Sequence, residues 1–324
     1  MTVLRKEEYL SIYQEMVRIR TFDETAAALA ESNELPGFVH PYSGEEAIAV
    51  GVCSELTDAD CIVSTHRGHG HIIAKGGDVR KMFAELYGKA TGYNGGKSGS
   101  MHIADFSLGI IGANGIVGAG LPIANGVAFA LDYMGKDAVC AVFFGDGSTN
   151  RGTFHEALNL ASTWGLPILF VCENNNLAST TYRSETMKIE RIAERAAAYG
   201  MTGVTVDGND PVAVREATRE ALERLRSGGG LTLLECITWR HHQHYIHDDN
   251  VYKDPADQAL WLSDEMDPLP RFEKRILEEG AATAEELAEV RERAAAEIAA
   301  AVAYGKESPY PDTASIFECV YKER

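Results

Sequence analysis

The sequence lacks several features, and each absence excludes a class of protein. No stretch of its 324 residues approaches the roughly 18 consecutive apolar residues that a membrane-spanning helix requires. The N-terminal segment MTVLRKEEYL has no apolar run of the kind found in secretory signal peptides. We therefore expect a soluble, cytoplasmic protein that has no membrane partner.

Basic residues and paired cysteines are also scarce. The chain has 30 Lys and Arg against 48 Asp and Glu, a formal net charge of −18 at pH 7, so a nucleic-acid partner is not expected. None of the six cysteines belongs to a C-x-x-C pair, and Cys140, Cys172 and Cys236 lie inside apolar runs. Buried, reduced thiols are the main expectation, and a catalytic thiol is the alternative.

Three short, continuously apolar runs predict a parallel sheet. They are AVCAVFF at 138–144, ILFVC at 168–172 and LTLLEC at 231–236, and helical patterns separate them. Strands buried on both faces have this character, so we predict an α/β fold whose parallel sheet is covered by helices on both faces. Residues 88–120 are dense in glycine instead, which indicates loops that approach another group closely rather than regular structure.

Helical periodicity predicts helices near both ends of the chain and one short helix between them. Apolar residues recur at helical spacing over about residues 6–32, and a shorter amphipathic helix is predicted over 79–87. Beyond Pro268 the chain becomes helical again, with a capping-box pair at Thr283 and Glu286.

The domain organisation follows from these patterns. Neither a repeat nor a linker interrupts the chain, so we predict a single domain over residues 1–324. It would consist of the N-terminal helix, a core at about 37–250 and a helical C-terminal arm at about 255–324.

Two phosphate-binding patterns come close to a match and fail. NGGKSGS carries the Gly-Lys-Ser ending of a Walker loop at 96–98, but Thr91 occupies the position of its first glycine. GANGIVGAG at 112–120 is similar to a dinucleotide loop but lacks the G-x-G-x-x-G spacing. Neither segment therefore predicts nucleotide binding.

A third segment places polar groups after two predicted strands. Asp146, within Gly-Asp-Gly, follows the first strand, and Asn174 and Asn175 follow the second. Ligands bind beyond the carboxyl ends of parallel strands, so these side chains are expected to meet at one edge of the sheet. A carboxylate, an amide oxygen and a backbone carbonyl, with two diphosphate oxygens and a water, would satisfy the octahedral preference of Mg²⁺.

Each half of this segment also has an ordinary interpretation. Gly-Asp-Gly can be a strand-to-helix turn, and the asparagines can cap a helix. Together, however, GDG and NN with 26 residues between Gly147 and Asn174 match the thiamine-diphosphate motif. The pair is specific where the single pieces are not.

Over nearly its whole length the chain resembles the α subunit of the thiamine-diphosphate-dependent first component of 2-oxo acid and acetoin dehydrogenase complexes. Besides the GDG…NN unit, the resemblance rests on GFVHPYSGEEAIAVGV (37–52), THRGHGHIIAKGGDVRKMFAELYGKATG (65–92), GSMHIAD (99–105), GANGIVGAGLPIANG (112–126) and EATREAL (216–222). The phrases STHRGHGH and ELYGKATG are most similar to the acetoin branch. The thiamine-diphosphate-binding fold is thus the fold that the resemblance implies.

The resemblance also implies residue roles at the cofactor. The Mg²⁺ ligands would be Asp146, Asn175 and the backbone carbonyl of Leu177. Contacts to thiamine diphosphate would come from His66, Arg67, Gly115, Val117, Gly147 and Ser148, in addition to the metal ligands. A guanidinium suits a diphosphate because of its forked donors and permanent charge.

Two histidines are implied in chemistry. His40 matches the histidine of the family's H-x-x-x-G-x-E-A segment, which faces the substrate. His244 matches the histidine near the diphosphate, so it is both a cofactor contact and a catalytic candidate.

The family resemblance implies an incomplete catalyst that needs partners. In the family the cofactor lies between an α and a β subunit, so a β partner is expected, in a heterotetramer of two α and two β chains. The implied reaction makes an acyl anion from acetoin or a 2-oxo acid, by C–C cleavage or decarboxylation. The acyl group then passes to a lipoyl acceptor on an acyltransferase.

The chain departs from the family at two places. The usual Y-R-x-x-G-H-S-x-x-D reads WRHHQHYIHD at 239–248, so Gln243 replaces the glycine and Tyr245 the serine. Leu177 replaces an aromatic residue, which a backbone ligand tolerates. The altered loop leaves the substrate and the acceptor open.

Three alternatives remain open at this stage. One is a two-subunit thiamine-diphosphate-dependent ligase or transketolase-like enzyme, which hands its acyl anion to an aldehyde or ketone. Another is a scaffold subunit that no longer binds the cofactor. The third is a zinc site within the histidines of the altered loop, although their spacing fits no standard site: His241, His242, His244 and His247.

Overall fold

Six parallel strands form the central sheet of the computed structural model, which describes residues 4–318. In sheet order they are β2 (Ile110–Gly112), β1 (Cys61–Val63), β3 (Cys140–Gly145), β4 (Ile168–Asn174), β8 (Thr232–Ile237) and β7 (Thr202–Asp207). A two-stranded antiparallel hairpin, β5 (Leu177–Ala178) and β6 (Thr181–Tyr182), follows β4.

Both faces of the central strands are buried. Successive side chains of a strand point to opposite sides, so each of these strands contributes to two apolar cores. In β3, Ala141 and Phe143 join the apolar core on one face, whereas Cys140, Val142 and Phe144 join the core on the other. The central strands are therefore apolar throughout, as their sequences predicted.

Helices cover both faces, which confirms the predicted fold class. One face packs against α5 (Gly120–Tyr133), α6 (Gly152–Trp164) and a 3₁₀ segment, Ile192–Tyr199. The core on the other face includes α1 (Lys6–Glu31), α2 (Glu46–Cys53), α3 (His69–Ala74), α4 (Val79–Leu86), α8 (Pro211–Arg226), α10 (Pro268–Glu278) and α11 (Ala284–Glu307). The short α7 (Arg183–Thr186) and α9 (Pro255–Trp261) complete the α-helices of the described residues.

The ends of the helices carry the capping chemistry expected from sequence. At the start of α11, Thr283 Oγ1 accepts a hydrogen bond from the Glu286 amide, and the Glu286 carboxylate accepts one from the Thr283 amide. Helix α8 begins with Pro211, directly after Asp210, whose carboxylate accepts two backbone hydrogen bonds. The C-terminal helix α11 packs back against α1 and α4.

The glycine-rich segment 88–120 contains regular structure after all, so the prediction of loops alone is wrong there. Residues 110–112 form β2, which hydrogen-bonds to β1 at the edge of the sheet. Three residues are too few to show a period, and the strand exists because β1 supplies its partners. Strand β7, at the other edge, was not predicted either, and its side chains alternate between half-buried and exposed.

The Walker-like part of that segment folds around a carboxylate of its own chain. Glu85, at the end of α4, accepts backbone hydrogen bonds from Asn94, Gly96, Ser98 and Gly99 at 2.7–3.2 Å, and one from the Ser98 hydroxyl at 2.8 Å. The side chain of Glu85 is fully buried. The loop thus has the converging amides of an anion site, and they bind Glu85.

The cysteine thiols and the character of the helices bear on two further expectations. Cys53, Cys140, Cys172 and Cys236 are buried free thiols and Cys61 is half-buried, whereas Cys319 lies outside the described residues. Within residues 4–318, no helix is long and apolar enough to cross a membrane.

Candidate active site

The carboxyl ends of β3 and β4 bring the two polar motifs together. The strands pair in register up to Gly145 and Glu173, so the chain leaves both strands at the same level of the sheet. There they border a cavity of about 400 Å³. Every residue that the sequence placed at the site lines this cavity: His40, His66, Arg67, Gly115, Val117, Asp146, Gly147, Ser148, Asn175, Leu177 and His244.

Asp146 is a buried carboxyl group without an ion-pair partner in the described chain. It is 2% exposed. Burial raises its pKa to about 6, although backbone hydrogen bonds and the distant charge of Arg240 oppose the shift. A buried carboxylate is costly unless a cation compensates it. A divalent cation on the cavity side would supply that compensation.

Close packing explains the glycine after Asp146. A Cβ atom at Gly147 would lie 2.7 Å from the Cβ of Ala178, in the hairpin that follows β4. The backbone of the Gly-Asp-Gly turn can therefore lie directly against β5, which contains Leu177.

Of the three consecutive asparagines, only Asn175 lines the cavity. Its Oδ1 accepts a hydrogen bond from the Leu177 amide at 3.2 Å, and its Nδ2 donates to Glu45 Oε1 at 2.8 Å. These bonds orient the side chain, and Oδ1 keeps a second lone pair for a cation. Asn174 turns away instead and donates to Glu235 at 2.7 Å.

Arg67 ties together two segments of the cavity wall. Its Nη1 donates to the Pro41 carbonyl at 2.5 Å and its Nη2 to the His244 carbonyl at 2.9 Å. Its Nε lies 3.9 Å from Glu45 Oε2. Arg67 also lines the cavity, and its fork of donors holds the backbone beside His40 and His244.

Three histidines from distant segments meet in the cavity. The ring centroids of His40, His66 and His244 are 5.0–5.4 Å apart, and the rings pack edge to face. Burial, followed by the charge of Arg67, lowers the pKa values of His40 to about 2, His66 to about 3 and His244 to about 4. All three imidazoles are therefore neutral at physiological pH.

A hydrogen bond from Arg240 sets the tautomer of His244. Arg240 Nη1 lies 3.1 Å from His244 Nδ1, and a guanidinium can only donate, so Nδ1 accepts. The proton of the neutral ring is then on Nε2. His244 is thus a hydrogen-bond donor at a fixed position.

This geometry disfavours a metal ion among the three histidines, although their ligand atoms lie within 4.8 Å of one another. The guanidinium groups of Arg67 and Arg240 repel a cation, and His244 would have to give up its bond to Arg240 or its Nε2 proton. Within the described residues, the loop histidines considered for zinc do not gather into a group of possible metal ligands either. His242 contacts Glu24 at 2.9 Å instead, and only His244 joins the cluster.

The altered loop is held by a small polar network. Tyr252 OH donates to Asp248 at 2.7 Å and accepts from the His244 amide at 2.9 Å. Lys253 is buried, and its Nζ donates to three consecutive backbone carbonyls, of residues 240–242, at 2.7–3.0 Å. Tyr245 packs edge-on against Phe38, with centroids 5.2 Å apart, and its ring centroid lies 6.0 Å from that of His40.

Sequence reasoning missed Glu45 as a site residue. Glu45 is fully buried in the cavity wall, and burial, with the charge of Glu173, raises its pKa to about 8. Its neighbour Glu46 points elsewhere and pairs with Arg20 at 2.5 Å. Two adjacent glutamates look equivalent in a sequence, and only the start of α2 at Glu46 decides which one faces the cavity.

Known proteins similar to this chain agree on one family. Residues 14–314 match the family described as dehydrogenase E1 component. Over 318 residues the chain is 48% identical to the alpha subunit of acetoin:2,6-dichlorophenolindophenol oxidoreductase of Bacillus subtilis, covering 98% of this chain and 95% of that protein. The protein of the same name from Cupriavidus necator is 45% identical, with the same coverage.

Pyruvate dehydrogenase subunits are similar as well. The chloroplastic pyruvate dehydrogenase E1 component subunit alpha-3 of Oryza sativa is 37% identical over 332 residues, which cover 99% of this chain and 77% of that protein. The chain belongs to the dehydrogenase E1 component family.

Proposed function

We propose that the chain is the α subunit of a thiamine-diphosphate-dependent acetoin dehydrogenase first component, working with Mg²⁺ and a β subunit. The observation that carries the proposal is the uncompensated carboxyl of Asp146 beside the oriented amide oxygen of Asn175. The family implies the cofactor, and the two relatives named for acetoin indicate the substrate.

The residues of the cavity fit the proposed cofactor. Asp146, Asn175 Oδ1 and the Leu177 carbonyl offer three hard oxygen ligands, which is the chemistry that Mg²⁺ prefers. Gly147 and Ser148, which line the same part of the cavity, would hold the diphosphate. The positive charges of Arg67, and of Arg240 behind His244, favour an anion there.

When bound, thiamine diphosphate supplies the means to make a carbonyl carbon nucleophilic. This chain would contribute binding, orientation and proton donors. His244 Nε2–H would provide a fixed donor for an oxygen that gains negative charge. His40 stands beside it as the second candidate for substrate contact.

A β subunit is proposed because one side of the chain is apolar and exposed beside the cavity. Ile116 and Val117, at the cavity rim, are exposed, and the same character continues along α5 to Phe129 and Tyr133. Trp164 of α6 packs against Phe129, with centroids 5.9 Å apart, and is itself exposed. Patches of this kind mark protein interfaces.

The assembly would be a heterotetramer of two α and two β chains, located in the cytoplasm. The acceptor of the acyl group would be the lipoyl arm of an acyltransferase. No residue of the described cavity is assigned to activating the aminopyrimidine ring, which the β subunit would do.

Reconstitution tests the proposal directly. The chain would be purified with and without its β partner, and dye reduction measured with acetoin, pyruvate and branched 2-oxo acids in the presence of thiamine diphosphate and Mg²⁺. We expect turnover only with both chains, and with acetoin as the preferred substrate. Full turnover by the α chain alone would overturn the β-subunit proposal. Carboligation without dye reduction would favour the ligase alternative.

A further inference from the structure

We propose that Glu45 is a positioning residue for the metal site, because its carboxyl group fixes the orientation of the Asn175 amide and keeps Oδ1 available to the ion. The inference rests on the proposed function, since it assigns a role in Mg²⁺ binding to a side chain outside the three proposed ligands. It also goes beyond the family pattern, H-x-x-x-G-x-E-A, which specifies Glu46 and leaves position 45 open.

The side-chain amide of an asparagine can adopt two orientations, which fill the same space but exchange the oxygen and the nitrogen. A cation such as Mg²⁺ binds the oxygen, and a reversed amide would present N–H donors to it instead. The affinity of the proposed metal site therefore depends on the groups that decide how the Asn175 amide is turned.

Two groups of opposite kind contact the Asn175 amide. The Leu177 amide donates to Oδ1 at 3.2 Å, and Glu45 Oε1 accepts from Nδ2 at 2.8 Å. Reversing the side-chain amide would place N–H against N–H and oxygen against oxygen, so both hydrogen bonds would be lost. The contact with Glu45 is the shorter of the two, and a substitution can remove it because it is made by a side chain.

Glu45 is held firmly enough to impose this orientation. It is 1% exposed and lies directly before α2. The turn that precedes it packs against the chain after β8, where Thr238 Oγ1 donates to the Gly44 carbonyl at 3.0 Å. A Cβ atom at Gly44, where φ is +99°, would clash with the Trp239 carbonyl oxygen. Because the turn lies so close to that chain, the carboxyl group keeps its place beside Asn175.

The neighbouring asparagine has the same arrangement away from the cavity. Asn174 Nδ2 donates to Glu235 at 2.7 Å, and Asn174 Oδ1 accepts from the Asn176 amide at 3.2 Å. Each asparagine thus bonds a buried carboxyl group through its nitrogen and an amide two residues onward through its oxygen. Of the two side chains, only that of Asn175 lines the cavity, so only its oxygen is placed to meet a bound ion.

Glu45 could act through its charge instead. Its Oε2 lies 3.9 Å from Arg67 Nε, so the carboxyl group could act on the guanidinium or directly on a bound cation. The two roles predict different outcomes for one substitution, because glutamine keeps an acceptor oxygen and cannot carry the charge.

The test measures Mg²⁺ binding to the assembled α–β enzyme by calorimetry, in the presence of thiamine diphosphate. Glu45→Met keeps a side chain of similar size but removes both oxygens, so the Kd for Mg²⁺ should rise by about 10- to 100-fold. Glu45→Gln should stay within about threefold of the wild type, because its oxygen can still accept from Asn175. An unchanged Kd for Glu45→Met, or a Kd for Glu45→Gln as weak as that of Glu45→Met, would overturn the proposal.

Steady-state kinetics with acetoin separate positioning from chemistry. In Glu45→Met the apparent KM for Mg²⁺ should rise together with the Kd, whereas kcat at saturating Mg²⁺ should stay within about threefold of the wild type. A high concentration of the ion can turn the amide by itself, because Mg²⁺ requires an oxygen ligand. A kcat that stays low at saturating Mg²⁺ would overturn the proposal, since it would place Glu45 in the chemical steps.

Glu55→Met is the matched control. Glu55 lies just beyond the other end of α2, pairs with Arg215 at 2.5 Å and is not part of the cavity lining. The same substitution there should leave the Kd for Mg²⁺ and kcat near their wild-type values.

A measurement on the wild type decides the matter even if Glu45→Met does not assemble. In a crystal structure of the Mg²⁺ holoenzyme, we expect Asn175 Oδ1 on the ion and Asn175 Nδ2 still within hydrogen-bond distance of Glu45 Oε1. Glu45 bound to the ion, or turned away from Asn175, would overturn the proposal. A wild-type enzyme that binds no Mg²⁺ would instead contradict the proposed function, which is a distinct result.

Discussion

Two buried carboxyl groups, each beside a glycine-rich turn, have opposite surroundings. Glu85 accepts five hydrogen bonds from the loop at 94–99, whereas Asp146 has no ion-pair partner in the described chain, and its pKa is raised by burial. The chain itself satisfies the hydrogen-bonding capacity of Glu85. A bound cation would be needed to compensate the charge of Asp146.

The difference shows how to separate a structural anion site from a functional one. The Walker-like loop resembles a phosphate site because its backbone amides converge, but they converge on Glu85. Near the Gly-Asp-Gly turn, the Asp146 carboxyl and the Asn175 amide oxygen line a cavity and can accept further hydrogen bonds or bind a cation. A buried polar group without enough partners in the protein indicates a ligand site, whereas a buried polar group with all its hydrogen bonds made indicates a structural role.

The largest effect is expected from removing the carboxyl group of Asp146. Asp146→Ala should abolish joint binding of Mg²⁺ and thiamine diphosphate and lower turnover of the α–β enzyme by about 10⁴-fold or more, because it removes the only charged ligand proposed for the ion. The apo fold should remain intact, since no other side chain depends on Asp146. Calorimetry and thermal unfolding measure the two effects separately.

Asp58→Ala is the control for that experiment. Asp58 is an exposed aspartate away from the cavity, so its loss should leave both cofactor affinity and turnover near wild type. If Asp146→Ala retains wild-type cofactor affinity in the assembled enzyme, the Gly-Asp-Gly turn is an ordinary turn and the comparison with Glu85 fails.

The second prediction concerns the buried carboxylate of Glu85, whose loss should affect stability and not cofactor binding. Glu85→Gln should destabilise the chain by about 4 kcal/mol, because the amide cannot accept from all the donors that now surround the carboxylate. The melting temperature should fall by roughly 10 °C. Cofactor affinity of the molecules that remain folded should stay near wild type.

Glu278→Gln controls for the loss of one negative charge. Glu278 is exposed on α10, so its melting temperature should match that of the wild type within about 1 °C. An unchanged melting temperature for Glu85→Gln would mean that the loop holds its shape without the carboxylate.

The sequence predicts the surroundings of a buried carboxyl group only where it carries a long and recognisable pattern. The GDG…NN unit lies after long apolar runs, so its place at the sheet edge could be predicted from Asp146 and Asn175 alone. The partner of the Walker-like loop could not, because Glu85 lies nine residues before the first amide that it binds and only the fold of α4 brings them together.

The histidine cluster shows the same limit at the site itself. His40, His66 and His244 come from three segments that are far apart in the chain, and the family resemblance named each one singly. Their mutual contact, and the neutral charge that follows from burial beside Arg67, arise only in the folded chain. The three-residue strand β1 was missed for a related reason, since it is too short for periodicity.

The third prediction uses pH to sharpen the contrast. The pKa of Asp146 is about 6 in the folded apo chain, above the value of about 4 expected in an unfolded chain. Its protonated form therefore contributes stability fully below pH 4, and that contribution is lost as the pH rises through 6. The loss amounts to about 2–3 kcal/mol by pH 7.

Asp146→Asn removes this titration and isolates it from the other carboxyl groups. The stability difference between Asp146→Asn and the wild type, measured by urea unfolding of the apo chains, should increase in favour of the variant between pH 4 and pH 7. A constant difference across this range would show that Asp146 is not held in a costly ionised state and needs no cation to compensate its charge.

The smallest effect is expected at the third proposed ligand, where the chain departs from its family. Leu177 would bind the ion through its backbone carbonyl, so its side chain can change without removing the ligand. The side chain is 3% exposed, so Leu177→Ala should cost about 2 kcal/mol or more of stability through lost packing. The Mg²⁺ affinity of the assembled enzyme should nevertheless stay within about threefold of wild type. A larger loss of Mg²⁺ affinity, with β5 still formed, would mean that packing of Leu177 against the Gly-Asp-Gly turn sets the carbonyl position. Leu177 would then have two roles, since its carbonyl would bind the ion and its side chain would both stabilise the fold and position that carbonyl.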